Sequence, residues 1–194
     1  MSYNLSMYPA IFLDRDGVIV ENKASYIRSW EDVSFYPQAL IALRRVYRSP
    51  YKIFIVTNQS AVGRGIISLR EADMINQQVV NYIEEAGGRI DDVFMCPHSP
   101  DDHCNCRKPL PGMFLKAKEK YQVKLEESIL VGDALSDIIA GQSAGVLTNM
   151  LVRTGRGENQ IAKADAKQIK IVEVCDDLND AFTRCFSRKP WWNK

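Results

Sequence analysis

An α/β fold built on a doubly wound, mostly parallel sheet is predicted by three features of the sequence. Short β-branched and aromatic runs alternate with segments of helical period. The runs are continuously apolar, as strands covered on both faces require. Polar clusters follow the runs directly, and in such sheets ligands bind beyond the carboxyl ends of the strands.

Ala10-Ile11-Phe12-Leu13 reads as the first buried strand and Ile53-Phe54-Ile55-Val56 as the second. Val93 to Met95, Ile129 to Val131 and Met150 to Val152 supply three more, and Ile169 to Val174 an edge strand. A helix follows Pro37, with Leu40, Leu43 and Tyr47 on one face. Ser68 followed by Glu71 is a capping-box signature. Behind it Ala72, Ile75, Val79 and Ile83 keep helical spacing until Gly87-Gly88. Pro111 opens a helix that turns Phe114, Ala117 and Tyr121 inward. A short helix runs from Asp137 to Ala144, stopped by Gly145, and a last one from Leu178 to Phe186. The basic, aromatic end from Arg188 to Lys194 reads as a loose tail, with Trp191-Trp192 covering a surface patch or packing at an interface.

One domain spanning residues 1–194 suits this length and the absence of repeats or long linkers. A net charge of +1 argues against nucleic acid or a membrane surface as partner. No run approaches the roughly 20 apolar residues of a membrane span, and Met1 to Pro9 lacks the order of a secretory signal. The expectation is a cytoplasmic monomer. Five cysteines, three of them within eleven residues, speak for metal binding over a disulfide framework. Cys175 and Cys185 read as small buried hydrophobes.

Four polar clusters fall at the predicted strand ends, and together they match what phosphoryl transfer needs: a nucleophile, a proton-transfer group, a metal held by carboxylates, and cations around the phosphoryl oxygens. Asp14 and Asp16, in Asp14-Arg15-Asp16-Gly17, can divide the roles of nucleophile and acid/base, with Gly17 turning the backbone behind them. Taken alone the segment is also an ordinary Asp/Gly turn; the apolar strand before it favours the chemical reading. The Thr57 hydroxyl can donate to phosphoryl oxygens, and Asn58, Gln59, Ser60 and Arg64 form a polar, flexible loop suited to substrate contacts. Asp133 is placed to hold magnesium. Asp137 suits both a supporting acceptor and the first turn of a helix.

Cys96, His98, Cys104 and Cys106 make a CxHx5CxC pattern. Three thiolates and an imidazole complete a tetrahedral zinc site with no open position, so this zinc is structural. His103 competes with His98 but directly precedes Cys104, an awkward chelate. Arg107 and Lys108 follow at once and can reach anionic groups.

The set DRDG at Asp14, TNQS at Thr57, CRKP at Cys106 and GDxxxD at Asp133 resembles the haloacid dehalogenase superfamily of phosphatases. The zinc loop resembles its histidinol-phosphatase-like subgroup. The stretches TNQSAVGRG, RKPLPGM and LVRTGRG are most similar to the branch acting on heptose bisphosphates for nucleotide-activated heptose and surface polysaccharide, with the histidinol-phosphate branch as the alternative. The resemblance, from about Ala10 to Phe182, implies a Rossmann-like core without a large cap domain. It implies that Asp14 is the nucleophile, Asp16 the general acid and base, and that Thr57 and Lys108 stabilise the phosphoryl group. It implies Mg2+ held by Asp14, the backbone carbonyl of Asp16, and Asp133. It implies that Arg107 recognises a small phosphorylated sugar, helped by Asn22, Lys23, Ser25 and Tyr26 of the first loop and by Asn58 to Ser60. Val18 departs from the usual Thr after DRDG, and the loop around Asn22 is longer by one residue.

Overall fold

A computed structural model describes residues 7–167, 173–189 and 191. Six strands form one sheet: β1 (Ala10–Leu13), β2 (Lys52–Asn58), β3 (Asp92–Cys96), β4 (Ile129–Gly132), β5 (Thr148–Val152) and β6 (Glu173–Cys175). Their order is β3-β2-β1-β4-β5-β6 and every pairing is parallel. The helices are α1 (Pro37–Arg45), α2 (Ser60–Gly63), α3 (Leu69–Glu85), α4 (Gly112–Tyr121), α5 (Leu135–Ala144), α6 (Gly157–Lys167) and α7 (Leu178–Phe186).

The strands alternate between two cores because successive side chains point to opposite faces. Ile11, Leu13, Ile53 and Ile55 join the buried faces of α1, α3 and α7. Ala10, Phe12, Phe54 and Val56 join α4 and α5. This division follows from handedness. Crossovers from β1 to β2 and from β2 to β3 step one way across the sheet, and those from β3 to β4 and from β4 to β5 step the other. Right-handed connections therefore put the two sets of helices on opposite faces. Phe12 anchors the second core, with ring centroids 5.6 Å from Phe54 and 4.9 Å from Phe114. Burial of each such ring stabilises the fold by about 1.5–3 kcal/mol.

The capping box at the start of α3 is formed as expected. The Ser68 hydroxyl accepts from the Glu71 amide at 3.2 Å, and the Ser68 amide donates to the Glu71 carboxylate at 2.6 Å. Gly145 ends α5 at φ +89°, a conformation natural to glycine. Several expectations need correction. Tyr47 is exposed, because α1 ends at Arg45 and the face it buries is Ala39, Ala42 and Leu43. Thr57 and Asn58 are the last two residues of β2, paired with Met95 and Cys96, and do not follow the strand. The loop expected from Asn58 to Gly65 contains α2. The edge strand is the three residues of β6, and positions 169–172 of the expected run lie outside the described residues. Trp191 is no loose end: its ring packs 4.8 Å from Phe186, while Trp192 lies outside the described residues. Cys175 is buried, and Cys185 is half-buried with its thiol 3.7 Å from the Met150 sulfur. Among the described residues no helix is long and apolar enough to cross a membrane.

Candidate active site

The strand order reverses between β1 and β4, where connections leave in opposite directions and open a crevice beyond the strand ends. Asp14 and Asp133 stand on either side of it. The Asp14 amide donates to the Val131 carbonyl at 3.0 Å, continuing the β1–β4 ladder. Between them lies Lys108, buried, from the segment beyond β3. Its ammonium meets Asp14 Oδ1 at 2.9 Å, Asp137 Oδ1 at 2.7 Å and the Val56 carbonyl at 2.7 Å. Asp137 also caps α5, accepting from the Ala134 amide at 3.0 Å, so both roles expected of it are filled. Burial disfavours the Lys108 cation, but the two carboxylates outweigh it and Lys108 holds its proton more tightly than an ordinary lysine. Burial lifts Asp14 most strongly; Lys108 pulls it down, and the Asp137 and Asp16 charges lift it again, leaving its pKa at about 6.

Asp16 is held by a different set. Arg15, almost wholly buried, grips its carboxylate with Nε at 3.3 Å and Nη2 at 3.0 Å. Arg15 is itself fixed by the Asn76 carbonyl oxygen of α3, 2.7 Å from Nη1. The Gln59 amide nitrogen bridges Asp16 and the Thr57 hydroxyl, 2.8 Å from each. Asn58 accepts from the Lys108 amide and donates to the Lys108 carbonyl, both at 3.1 Å. Its amide thereby clamps the backbone of Lys108.

Asp133 is fully buried and carries four bonds. Arg156 reaches Oδ1 through Nη2 at 3.0 Å, and Oδ2 through Nε at 3.2 Å and its backbone amide at 2.9 Å. The Asn22 amide adds a fourth bond, 2.6 Å to Oδ2. Burial and Asp14 push Asp133 up, and Arg156 restrains it. Arg156 was not singled out from the sequence; a basic residue between two glycines resembles any solvated loop. Oxygens of Asp14, Asp133 and Asp137 lie within 4.8 Å of one another, a carboxylate group able to hold a hard cation.

The CxHx5CxC residues converge. Cys96 Sγ lies 3.6 Å from both His98 Nδ1 and Cys104 Sγ, Cys106 Sγ lies 3.3 Å from His98 Nδ1, and Cys104 and Cys106 are 3.6 Å apart. A tetrahedron with metal–sulfur bonds of about 2.3 Å has edges of about 3.8 Å, so the donors are spaced for one small ion. His98 belongs to this group and His103 does not. Burial raises the Cys96 and Cys106 thiols, whereas at Cys104 the amides of Arg107 and Cys106 outweigh burial and lower the pKa to about 7. Arg107 donates to the His98 carbonyl at 3.2 Å, which ties it to the cluster.

A cavity of about 670 Å³ opens over Asp14, Asp16 and Lys108. Asn22, Lys23, Tyr26, Asn58, Gln59, Ser60 and Arg107 line it as expected, joined by Ser136, Asp137 and Arg156. Ser25 and Arg64 do not. Both are exposed, Ser25 turning its carbonyl to Arg28 and Arg64 following α2. Thr57 is wholly buried beneath the cavity floor.

Residues 105–181 match the HAD-hydrolase-like family. The chain is 36% identical over 168 residues to D-glycero-beta-D-manno-heptose-1,7-bisphosphate 7-phosphatase of Bordetella bronchiseptica, covering 87% of this chain and 92% of the relative. It belongs to the heptose-bisphosphate phosphatase family of HAD-like hydrolases. A second family member, D-glycero-alpha-D-manno-heptose-1,7-bisphosphate 7-phosphatase of Photorhabdus laumondii, is 40% identical over 151 residues, 74% of this chain and 82% of that one. The crystal structure of the Bordetella bronchiseptica family enzyme complexed with magnesium and phosphate superposes with a TM-score of 0.85 at 33% identity, covering 92% of this chain and 98% of that one.

Backbone crowding around Asp133 is testable. Gly155 has φ +62°, and a Cβ there would meet Asp133 Oδ2 and come 2.5 Å from the Gly17 Cα. Gly65 has a similar φ of +68° with nothing within 4 Å. Gly155→Ala is expected to lose clearly more stability in urea unfolding than Gly65→Ala, which should cost only the roughly 1 kcal/mol of a left-handed alanine. Equal losses would show that Asp133 tolerates the added methyl.

Proposed function

We propose that this chain hydrolyses the 7-phosphate of D-glycero-D-manno-heptose 1,7-bisphosphate, with Asp14 as nucleophile. The observation that carries the reading is the Lys108 ammonium seated between Asp14 and Asp137 at the floor of a cavity rimmed by Arg107 and Arg156. Cations on the floor and the rim suit a substrate with a phosphate at each end. The relatives that share 33–40% of its residues are named for this reaction.

In this mechanism an Asp14 oxygen attacks phosphorus while the bond to the sugar oxygen breaks, giving an aspartyl-phosphate. Asp16 gives the departing oxygen its proton. It then takes a proton from water, which attacks the same phosphorus and frees Asp14. Gln59 and Arg15 orient the Asp16 carboxylate. Lys108 stabilises the phosphoryl group through its charge, and the Thr57 hydroxyl supports the site from beneath through Gln59. Asp14, Asp133 and the backbone carbonyl of Asp16 would hold Mg2+, and a bound Mg2+ neutralises charge on the transferring group. Three acidic side chains facing one another fit a divalent cation. Arg107 contacts the distal phosphate, and Lys23, Tyr26 and Ser60 shape the sugar site. We also assign Cys96, His98, Cys104 and Cys106 to a structural Zn2+ that fixes the Arg107–Lys108 segment. The spacing of the four donors supports it.

Turnover of both anomers of the bisphosphate, compared with histidinol phosphate, tests the substrate. The expected result is release of one phosphate per bisphosphate with the 1-phosphate retained; equal or faster use of histidinol phosphate would sink the assignment. Asp14→Asn should reduce turnover by at least about a thousandfold, as removal of a covalent nucleophile does, and near-normal activity would exclude the aspartyl intermediate. Metal analysis of protein purified without chelator should find about one zinc per chain. A metal-free protein with an unchanged melting temperature would remove the zinc assignment.

A further inference from the structure

The carboxylates at the crevice are served by two very different cations. Lys108 is 2% exposed and bonded to Asp14, Asp137 and a carbonyl at once, so it has nowhere to go. The Arg156 side chain is 55% exposed, yet it carries the ion pair to Asp133, whose side chain is 0% exposed. We propose that the Arg156 guanidinium is a displaceable counter-ion of Asp133: it neutralises the buried carboxylate in the metal-free chain and leaves when a divalent cation binds.

The bonds on Asp133 divide accordingly. Oδ2 accepts from Arg156 Nε at 3.2 Å, a bond that leaves with the side chain, and from two neutral donors, the Asn22 side-chain amide at 2.6 Å and the Arg156 backbone amide at 2.9 Å. The neutral pair can stay while Oδ1 turns to a metal. Among the described residues Oδ1 accepts from Arg156 Nη2 alone, at 3.0 Å. A divalent cation on Oδ1 would share that oxygen with a guanidinium, and two cations on one oxygen in a buried site repel strongly. Asp133 keeps its backbone anchor when the side chain departs, because Arg156 holds it through two separate groups. The departing guanidinium already lines the cavity, so it remains where an anionic substrate enters. Its fork matches a pair of phosphate oxygens. Exposure makes the exchange cheap: the guanidinium regains water as it leaves, whereas Asp133 exchanges one cation for another.

This inference rests on the magnesium site proposed above, and direct metal binding separates the two. Isothermal titration of magnesium chloride into phosphate-free wild type, Arg156→Ala and Arg156→Lys is the measurement. Loss of the internal competitor should tighten magnesium binding by at least about threefold in Arg156→Ala, the scale of one partly exposed ion pair. Arg156→Lys should fall between the two. Unchanged or weaker binding in Arg156→Ala overturns the proposal and makes Arg156 a support that positions Asp133. A wild type that binds no magnesium overturns the magnesium site itself and the exchange with it. Should Arg156→Ala fail to fold, the Arg156 Nε–H resonance of nitrogen-labelled wild type decides. It is expected to shift and exchange faster with water as magnesium is added, and a resonance that stays put overturns the exchange.

Discussion

The site is organised around one buried ammonium. Lys108 comes from the loop after β3, and its three N–H groups meet Asp14 at the end of β1, a carbonyl of β2, and Asp137 in the first turn of α5. Three donors find three acceptors, which is the full capacity of the group. Removing one partner of such a buried pair costs about 3–5 kcal/mol, because the other charge is left without compensation. The same contact ties β1, β2 and α5 to one point. Asn58 then fixes the Lys108 backbone from β2, and the cysteine cluster holds the chain just before it.

Electrostatics at this point are unbalanced on purpose of fold rather than by accident of sequence order. Lys108 faces two carboxylates, and a third, Asp133, lies within 4.8 Å of both. Burial, reinforced by the neighbouring carboxylates, raises Asp14 and Asp133. Arg156 offsets that charge at Asp133, and the Gly17 and Gly155 backbones pack so closely around its carboxylate that no side chain would fit there. Asp16 is kept apart from this group by its own cation, Arg15, and by Gln59. Two neighbouring carboxylates thereby acquire different surroundings, as two different roles in one reaction require.

Much of the fold was legible because its signals are local and physical. Apolar runs of three or four residues mark β1, β4 and β5, and Ser68 with Glu71 marks the start of α3. α2 was not legible, since four residues carry no period. α6 was missed because Gly157–Lys167 has few apolar positions. Tyr47 kept helical spacing on paper, but the chain had already left the helix. Among site residues, Asp14, Asp16, Lys108 and the cysteine set were readable from type and spacing. Asn22 and Asn58 read as substrate groups because an amide in a loop offers a donor and an acceptor; that they also bond Asp133 and the Lys108 backbone was not legible.

The sequence by itself determined which chemistry is present: carboxylates directly after buried strands, a lysine before a proline, and five cysteine and histidine side chains within eleven residues. These follow from covalent order and side-chain type, which need no knowledge of distance. Only the tertiary structure decided who neutralises whom. Lys108 is 94 residues from Asp14, and Asn22 is 111 residues from Asp133. Their pairing depends on the strand order and on right-handed crossovers that bring distant ends to one crevice. Charge balance in a buried site is a property of distances of a few ångströms, and that is why Arg156, an ordinary loop residue in sequence, became visible only beside Asp133.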